Sequence, residues 1–529
     1  MTFEALVFLD RLPQMIDTHI APFLADHPNF SQGLNLLGYK GVCETIYTTL
    51  LPGLNAVSSR IRYYSFYCWL LNEFGAFEQK KTEPTYLSFL RKSEYLLALI
   101  HAQMNGGTGV LGVPGIDYAI RELEKGQENI SLTAGIYKPD GKTTEGTYWK
   151  YRGGILAQYY LAMLSDDMGI LEAMDGNERI RNISHSGANF ISGEELATAF
   201  ANNVGETAAT LFLNTVRNET VSRDTLHILG KSFNMKFMSD SEERDLLRSL
   251  LLQSDLPRSG HASFLRKQTI KLFLQYMESS SSSNNDESRG FSKYLYERYV
   301  YDGQNDICTI GWYLYWLNEN WQYRLSEIFV HILDLLETKY ELRWAPIHSL
   351  SKELATEMVD AFSLDGKTLG DFYNAVKAQM ISLHKGRICA TAFYDLIQRV
   401  AENEGKDPDD SVYGGVFKIT NNSGTFHRFM ADFLNRLDED LIAYLSEFIE
   451  NRIIYRHYAE SMRKWAAGGG VATHKFMLEN GCIRIIGTTY CSHTSPRIRT
   501  LQGFLLDLGL VQETGGLTED GAKTLQMLS

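Results

Sequence analysis

Apolar residues recur every three or four positions along most of this 529-residue chain, and that spacing predicts a helix-rich protein. From Phe426 the apolar positions alternate with acidic residues, which predicts one amphipathic helix that could continue to about Trp465 before the glycines at 468–470 stop it. A second long helix is predicted from about Thr309 to Tyr340. Shorter helices are predicted near 3–25, 58–78, 84–104, 205–217, 222–233, 241–253, 261–277, 349–361, 367–383 and 390–402.

Residues 467–529 combine strand and helix signals. Asn480-Gly481 is a strong hairpin turn signal and separates two short apolar runs. Ser495-Pro496 then favours a helix start, and Thr518 with the acids that follow it favours a cap for a last helix. This order is typical of a winged-helix module, although plain helix ends explain it nearly as well. We therefore predict a mainly α, multi-domain helical fold with small winged-helix-like β elements, above all at the C-terminus.

A weaker copy of the same pattern lies inside the chain, at 155–200. Tyr159 to Leu164 forms an apolar helix face, a short apolar run follows Gly169, and Asp175-Gly176 marks a turn. Ser192 and Glu195 then have the spacing of a capping box at the start of a helix.

A serine- and asparagine-rich segment at 278–288 cannot bury apolar area and predicts a mobile linker. Together with the patterns above it divides the chain into five segments. They are an N-terminal helical domain (1–105), a middle domain with an irregular β insert and the internal winged-helix-like segment (106–277), the linker (278–290), a long-helix domain (291–466) and the C-terminal winged-helix-like module (467–529).

Composition restricts the class of protein. The chain has 51 basic and 64 acidic residues and a net charge of −13, which argues against a protein that coats nucleic acid with its whole surface. Six scattered cysteines fit a reducing compartment. The first residues lack the features of a secretory signal, and the apolar stretches are shorter than the roughly 20 residues that span a bilayer. We expect a soluble cytoplasmic protein without membrane contact.

The common catalytic motifs are incomplete in this sequence. Gly141-Lys142-Thr143 and Gly366-Lys367-Thr368 resemble the end of a phosphate-binding loop, but the position five residues earlier, which should be glycine, holds Ile136 in one and Ala361 in the other. The cluster His474, Cys482, Cys491 and His493 lacks the tight paired spacing of structural zinc sites. We therefore predict no catalytic residue, no metal and no cofactor, and no enzymatic activity.

Basic residues are concentrated between positions 452 and 499, where only Glu460 and Glu479 oppose them. Such a window would suit DNA phosphates, an acidic protein partner, or simply a solvated face. The candidate binding residues are Arg452, Arg456, Arg463, Lys464, Lys475, Arg484, Arg497 and Arg499.

Arg60 and Arg62 begin a strongly aromatic segment that should be buried. In the first turn of a helix a cation is unfavourable, so both arginines are further candidates for contact with an anionic partner. A nearby buried carboxylate is the simpler explanation.

The N-terminal motifs Leu50-Leu51-Pro52-Gly53-Leu54 and Arg60 to Tyr67, with Leu37-Gly38 before them, resemble the non-SMC subunit of Lamassu-type anti-phage and anti-plasmid defence systems. The resemblance implies a kleisin-like scaffold that works beside an SMC-family ATPase and a nuclease effector, with DNA bound directly or through the complex. Residues 496–529 would then dock on the ATPase head. The docking residues implied are Leu501, Phe504, Leu505 and Leu508.

The expected function is accordingly that of a non-catalytic scaffold or regulatory subunit in a complex that senses foreign DNA. Two alternatives stay open. The chain could be a standalone winged-helix DNA-binding regulator that uses Arg497 and Arg499, or a divergent enzyme whose site is assembled only by tertiary contacts.

Overall fold

The protein is described by a computed structural model, which covers residues 33, 35–77, 81–104, 112–135, 147–185, 190–236, 240–254, 262–279, 287–339, 344–364, 367–383, 386–406, 412–419, 424–467 and 472–529. The chain forms two compact units, each assembled from separate segments. The first unit contains the described residues of 33–43, 317–407 and 420–494. The second contains those of 44–316, 408–419 and 495–529.

The fold is mainly α, as the apolar periodicity predicts. The predicted helix near 3–25 lies outside the described residues, whereas the helix predicted from Thr309 is confirmed as Ile307–Thr338. The α-helices are Lys40–Leu50, Tyr63–Phe77, Glu83–Met104, Ile116–Glu124, Gly193–Val204, Glu206–Asn218, Arg223–Gly230, Glu242–Leu252, Ala262–Ser279, Glu287–Val300, Ile307–Thr338, Ile347–Phe362, Leu369–Lys377, Ile388–Asn403, Phe426–Leu434, Leu441–Ile449, Tyr455–Ala467, Ile498–Asp507 and Glu519–Leu528. Short π-helical segments span Leu156–Tyr160, Met163–Asp167, Val412–Val416 and Glu450–Ile454, and a 3₁₀ turn spans Leu132–Gly135.

The strands form three small antiparallel sheets. In the second unit Asn129–Ser131 pairs with Thr220–Ser222, and Leu171–Met174 pairs with Asn177–Ile183. In the first unit Cys482–Ile485 is the central strand between Phe476–Glu479 and Trp344–Pro346.

The predicted single helix from Phe426 to about Trp465 is wrong. The helix ends at Leu434, and a new one starts at Leu441 because the Asp440 side chain accepts a hydrogen bond from the Ala443 amide, 2.9 Å away. A π-helical turn at Glu450–Ile454 interrupts it again before Tyr455–Ala467. The glycines at 468–470 lie outside the described residues.

Two of the three local signals near the C-terminus are confirmed. The helix start predicted at Ser495-Pro496 is wrong, because the helix begins at Ile498 after Arg497, which takes a left-handed φ of 61° and makes no side-chain cap bond. Asn480 and Gly481 take the positive φ angles of 48° and 75° that a tight hairpin turn requires, and Thr518 caps the last helix. The hairpin belongs to the first unit, where its sheet is completed by Trp344–Pro346. The helices Ile498–Asp507 and Glu519–Leu528 belong to the second unit, so the residues predicted as one module are divided between the two.

The internal segment at 155–200 forms a helical stretch, a hairpin and a helix in the predicted order. The capping box is confirmed, because Ser192 Oγ accepts from the Glu195 amide and Glu195 Oε2 accepts from the Ser192 amide, at 3.2 and 2.8 Å. The linker predicted at 278–290 is wrong at both described ends, because one helix extends to Ser279 and the next begins at Glu287; residues 280–286 lie outside the described part.

Aromatic side chains fill the core of the second unit. Trp69 and Phe66 of the Tyr63–Phe77 helix contact Phe200 and Phe212, with ring centroids 5.3 to 6.2 Å apart, and all four are at most 1% exposed. The aromatic segment that follows Arg62 is therefore core, as its composition predicts. Within the described ranges, no helix has both the length and the apolar character needed to cross a bilayer.

Candidate anion-binding cavity

Four arginines from different parts of the first unit converge on one cavity of about 350 Å³. The break in the predicted long helix creates it: Phe426–Leu434 and Leu441–Ile449 pack side by side, with the rings of Phe433 and Tyr444 5.9 Å apart. The π-helical turn then supplies a third wall. The lining residues are Tyr39, Gly424, Arg428, Asp432, Arg436, Tyr444, Glu447, Phe448, Asn451, Arg452 and Arg456.

Arg436 has a structural role in this wall. Its guanidinium holds both Glu439 oxygens at 2.7 Å and both Glu447 oxygens at 2.6 and 3.1 Å, and it lies 4.8 Å from the centre of the Tyr444 ring. Hydrogen bonds to Glu439 and Glu447 raise the pKa of Arg436 above its ordinary value. Its charge is therefore already compensated within the protein.

Arg452 and Arg456 are each held by a few contacts within the first unit. Arg452 Nη2 lies 3.2 Å from Asp432 Oδ2, and Arg456 Nε donates to the Leu37 carbonyl at 3.0 Å. Tyr39 links the two, because its hydroxyl donates to the Arg452 carbonyl at 3.0 Å and its ring lies 5.1 Å from the Arg456 guanidinium. Each guanidinium thus keeps donors that are not used in these bonds.

Arg428 is the least constrained of the four. Its side chain is exposed, and within the described part of the chain its guanidinium has no hydrogen-bond acceptor or ion-pair partner. The lining has four arginines against Asp432 and Glu447, and Glu439 beside it also binds Arg436, so the formal charge of this group is +1 in a protein of net charge −13. Several guanidinium groups around a concave surface can bind an anion such as phosphate.

The structure places six of the predicted basic residues in the first unit. Arg452 and Arg456 line the cavity, whereas Arg463 pairs with Glu460 and Lys464 Nζ donates to the Asn35 carbonyl at 2.5 Å. Lys475 is only 7% exposed, and burial lowers its pKa. Arg484 is half-buried on the central strand of the small sheet.

The other four lie in the second unit. Arg499 is exposed, and burial lowers the pKa of Arg497, whose guanidinium lies 5.7 Å from the centre of the Tyr47 ring. Arg60 Nη1 lies 2.6 Å from Asp507 Oδ1, and Arg62 is 3% exposed.

The simpler explanation for Arg60 and Arg62 is confirmed, since each has a buried carboxylate partner. Arg62 pairs with Glu243, and Asp507, the partner of Arg60, has a pKa that burial raises to about 7. Arg62 therefore cannot serve as a contact for DNA, because its guanidinium is enclosed by the protein's own core.

The predicted docking face also needs correction. Leu501, Phe504, Leu505 and Leu508 are all 0% exposed within the second unit. Phe504 packs edge-on against Tyr64, with ring centroids 5.5 Å apart. These side chains cover the chain's own core and leave no apolar surface there for a partner.

Arg428, Arg436, Tyr39 and Tyr444 were not predicted. The first two precede the basic window and alternate with Asp432 at intervals of four residues, so the pattern reads as compensated charge on a helix. Arg452 and Arg456 are also four residues apart. This common spacing is the one signal in the sequence that could have suggested that Arg428 and Arg436 share a surface with them.

No family model, no curated protein and no solved structure matches this chain.

Proposed function

We propose that this chain is a non-catalytic, cytoplasmic scaffold subunit that binds DNA through backbone phosphates at the arginine-lined cavity. The observation that carries the proposal is the convergence of Arg428, Arg452 and Arg456, with Arg428 free of an acceptor among the described residues. Arginine forms bidentate hydrogen bonds with phosphate, and phosphate contacts provide affinity without sequence readout. A locally cationic cavity is required because the protein as a whole is acidic.

The partners in this proposal are an SMC-family ATPase and a nuclease effector of a phage or plasmid defence complex, as the N-terminal resemblance implies. An exposed apolar stripe on the Tyr455–Ala467 helix supports a protein partner. Tyr455, Met462 and Trp465 are 43%, 37% and 47% exposed, while His457 on the opposite face is buried. Large apolar side chains grouped on the outer face of a helix are typical of interaction sites.

The DNA part is tested by fluorescence anisotropy with a labelled duplex at several salt concentrations. Arg428→Ala should weaken binding and reduce the slope of log K against log salt by about one, because one phosphate contact is lost. Arg179→Ala is the control, since Arg179 is 76% exposed and pairs with Glu83. Unchanged affinity and slope in Arg428→Ala would exclude the cavity as the DNA site.

The same titration separates the alternatives. If Arg499→Glu weakens duplex binding and Arg428→Ala does not, the regulator that binds through the C-terminal helices is correct instead. Metal-dependent DNA cleavage by the isolated chain, abolished by a point mutation within it, would refute the non-catalytic role.

The partner part is tested by purification of a tagged chain expressed from its native operon, followed by mass spectrometry. Recovery of an SMC-family ATPase with the wild type, and its loss with Met462→Glu or Trp465→Glu, is the expected result. Met527→Glu is the matched control, because Met527 is 77% exposed on the last helix. A wild-type chain that purifies alone would contradict the scaffold role.

A further inference from the structure

A second concave surface, separate from the arginine cavity, lies in the second unit. It is a groove of about 930 Å³. Its lining is rich in aromatic residues and includes two cations. The lining residues are Val57, Gly112–Tyr118, Arg121, Thr147–Tyr151 and Gln158.

Two buried charges of the Glu83–Met104 helix fix one wall of this groove. Arg91 is 1% exposed and donates to the carbonyls of Trp149 and Tyr151, at 2.7 and 2.6 Å. Glu94 is 3% exposed and accepts from the Tyr148 hydroxyl and from the backbone amides of 155 and 156, the last two at 3.0 and 2.8 Å. Burying ionised groups is costly unless they are hydrogen-bonded, and these bonds attach residues 148–156 to the helix.

The rings on this wall are oriented before any ligand binds. Tyr148 stacks on Tyr95, with centroids 5.5 Å apart and planes inclined at 21°. The Trp149 indole N–H donates to Gln158 Oε1 at 2.7 Å, which fixes the plane of the indole. Tyr151 is 51% exposed, so its ring is available to a ligand.

Charge accompanies the rings on both sides of the groove. Lys150 lies between Trp149 and Tyr151 and is exposed, and Arg121 is exposed on the Ile116–Glu124 helix. Asp117 is the only acidic residue among the lining residues, so their formal charge is +1. Flat apolar rings interspersed with cations match a ligand that alternates flat bases with phosphates.

We infer that this groove binds single-stranded nucleic acid, with bases stacked on Trp149 and Tyr151 and phosphates paired with Lys150 and Arg121. Bases in a duplex are already stacked on one another, so their faces are not available to protein rings, whereas those of a single strand are. The inference rests on the proposed binding of DNA and adds the strand structure that is recognised. It predicts two separable activities, duplex binding at the arginine cavity and single-strand binding in the groove.

The test uses the full chain, a fluorescein-labelled oligothymidylate and a labelled duplex of equal length. Trp149→Ala and Tyr151→Ala should each weaken single-strand binding by roughly 5- to 150-fold, the range expected for loss of one stacking platform. Duplex affinity should stay within about twofold. Tyr301→Ala is the matched control, because Tyr301 is a 67% exposed tyrosine of the same unit outside the groove.

A second variant distinguishes the loss of a ligand contact from misfolding of the aromatic variants. Lys150 is exposed and its side chain has no hydrogen-bond partner among the described residues, so Lys150→Ala should fold normally and reduce the single-strand salt slope by about 0.7. Thermal unfolding of each variant checks that the core is intact.

The outcomes separate the two proposals. A wild-type chain that binds neither probe contradicts the proposed function. Duplex binding that depends on Arg428, together with single-strand binding that is unaffected by the groove variants, overturns only the present inference. Equal affinity for thymidine monophosphate and for the oligonucleotide would also overturn it, because the groove would then be a mononucleotide pocket.

Discussion

Arg62 and Glu243 form a buried ion pair in the second unit, with Nε 3.1 Å from Oε1 and Nη2 3.2 Å from Oε2. Their side chains are 4% and 0% exposed. The remaining atoms are also bonded: Arg62 Nη1 donates to the carbonyls of Ser232 and Asn234, and Glu243 accepts from Ser65 and Asn203. The pair therefore joins the start of the aromatic helix to three other segments of the chain.

Glu243→Gln should lower the free energy of unfolding of this unit by about 3–5 kcal/mol, because the Arg62 charge would remain buried without a counter-charge. The double variant Arg62→Met with Glu243→Leu should recover part of that loss, since no buried charge is then left. Urea denaturation followed by tryptophan fluorescence measures both. A single variant as stable as the wild type would contradict the assignment.

His101 and His457 are buried in the neutral form, and each should make the protein less stable as the pH falls below neutral. Burial lowers the pKa of His101 to about 4 and that of His457 to about 3. The Nε2 atom of His101 accepts a hydrogen bond from the Met235 amide, and that of His457 accepts one from the Lys475 amide. The unfolded chain, with a histidine pKa near 6.5, binds protons first, so the contribution of these histidines to stability is complete above pH 6.5 and decreases as the pH falls from about 6.5 towards 4.

His101→Gln should remove one of these contributions, which for a pKa near 4 is about 2 kcal/mol at pH 5. The readout is the difference in urea stability between wild type and variant at pH 5, 6, 7 and 8. Subtracting the stability of the variant from that of the wild type removes every contribution that the two proteins share. One of these is that of Asp507, whose raised pKa makes stability decrease as the pH rises towards 7. A difference that does not change with pH would show that His101 does not titrate as described.

Ser192→Ala should destabilise the second unit by about 1 kcal/mol, because the first turn of Gly193–Val204 loses its capping box. Thr198→Ala is the control on the same helix. Thr198 is exposed and its hydroxyl bonds only to the Glu194 carbonyl within its helix, so alanine there should be neutral or slightly stabilising. Equal midpoints of thermal unfolding for the two variants would contradict a role for the cap.

Gly521→Ala should destabilise the last helix by about 1–3 kcal/mol, because an added Cβ would lie 1.9 Å from the Leu510 carbonyl oxygen. That atom belongs to the backbone, so it cannot move aside by a change of rotamer. Gly414→Ala is the control, since a Cβ there meets nothing within 4 Å. Calorimetric unfolding of both variants tests the close approach; a wild-type profile for Gly521→Ala would refute it.

Signals that act between near neighbours in the sequence predicted the structure well. The helix from Ile307, the Asn480-Gly481 turn and the Ser192–Glu195 cap depend on residues at most a few positions apart. The sequence does not predict the break at Asp440, because the apolar periodicity continues through it and favours one helix, whereas the Asp440 side chain caps a new one. A β-bridge between Asp440 and Thr368 also stabilises the break, and the sequence does not reveal that contact.

Long-range relationships could not be predicted. The apolar face at Leu501 identifies a buried surface but not what buries it, so the same pattern is compatible with a partner and with the chain's own core. The third strand of the hairpin sheet comes from Trp344–Pro346, far away in the sequence. The cavity was predicted in part, through Arg452 and Arg456, because their charges are grouped; Arg428 joins them only through tertiary packing.

The contact between Tyr64 and Phe504 has a consequence for synthesis of the protein on the ribosome. The two rings touch in the core of one unit although 440 positions of the chain separate them. At elongation rates of about 5–20 residues per second, Phe504 is synthesised roughly 20–90 s after Tyr64. During that interval the face of Tyr64 that Phe504 covers is exposed to chaperones and proteases, so we expect yield in the cell to depend on translation speed, and premature termination before residue 495 to give a degraded product.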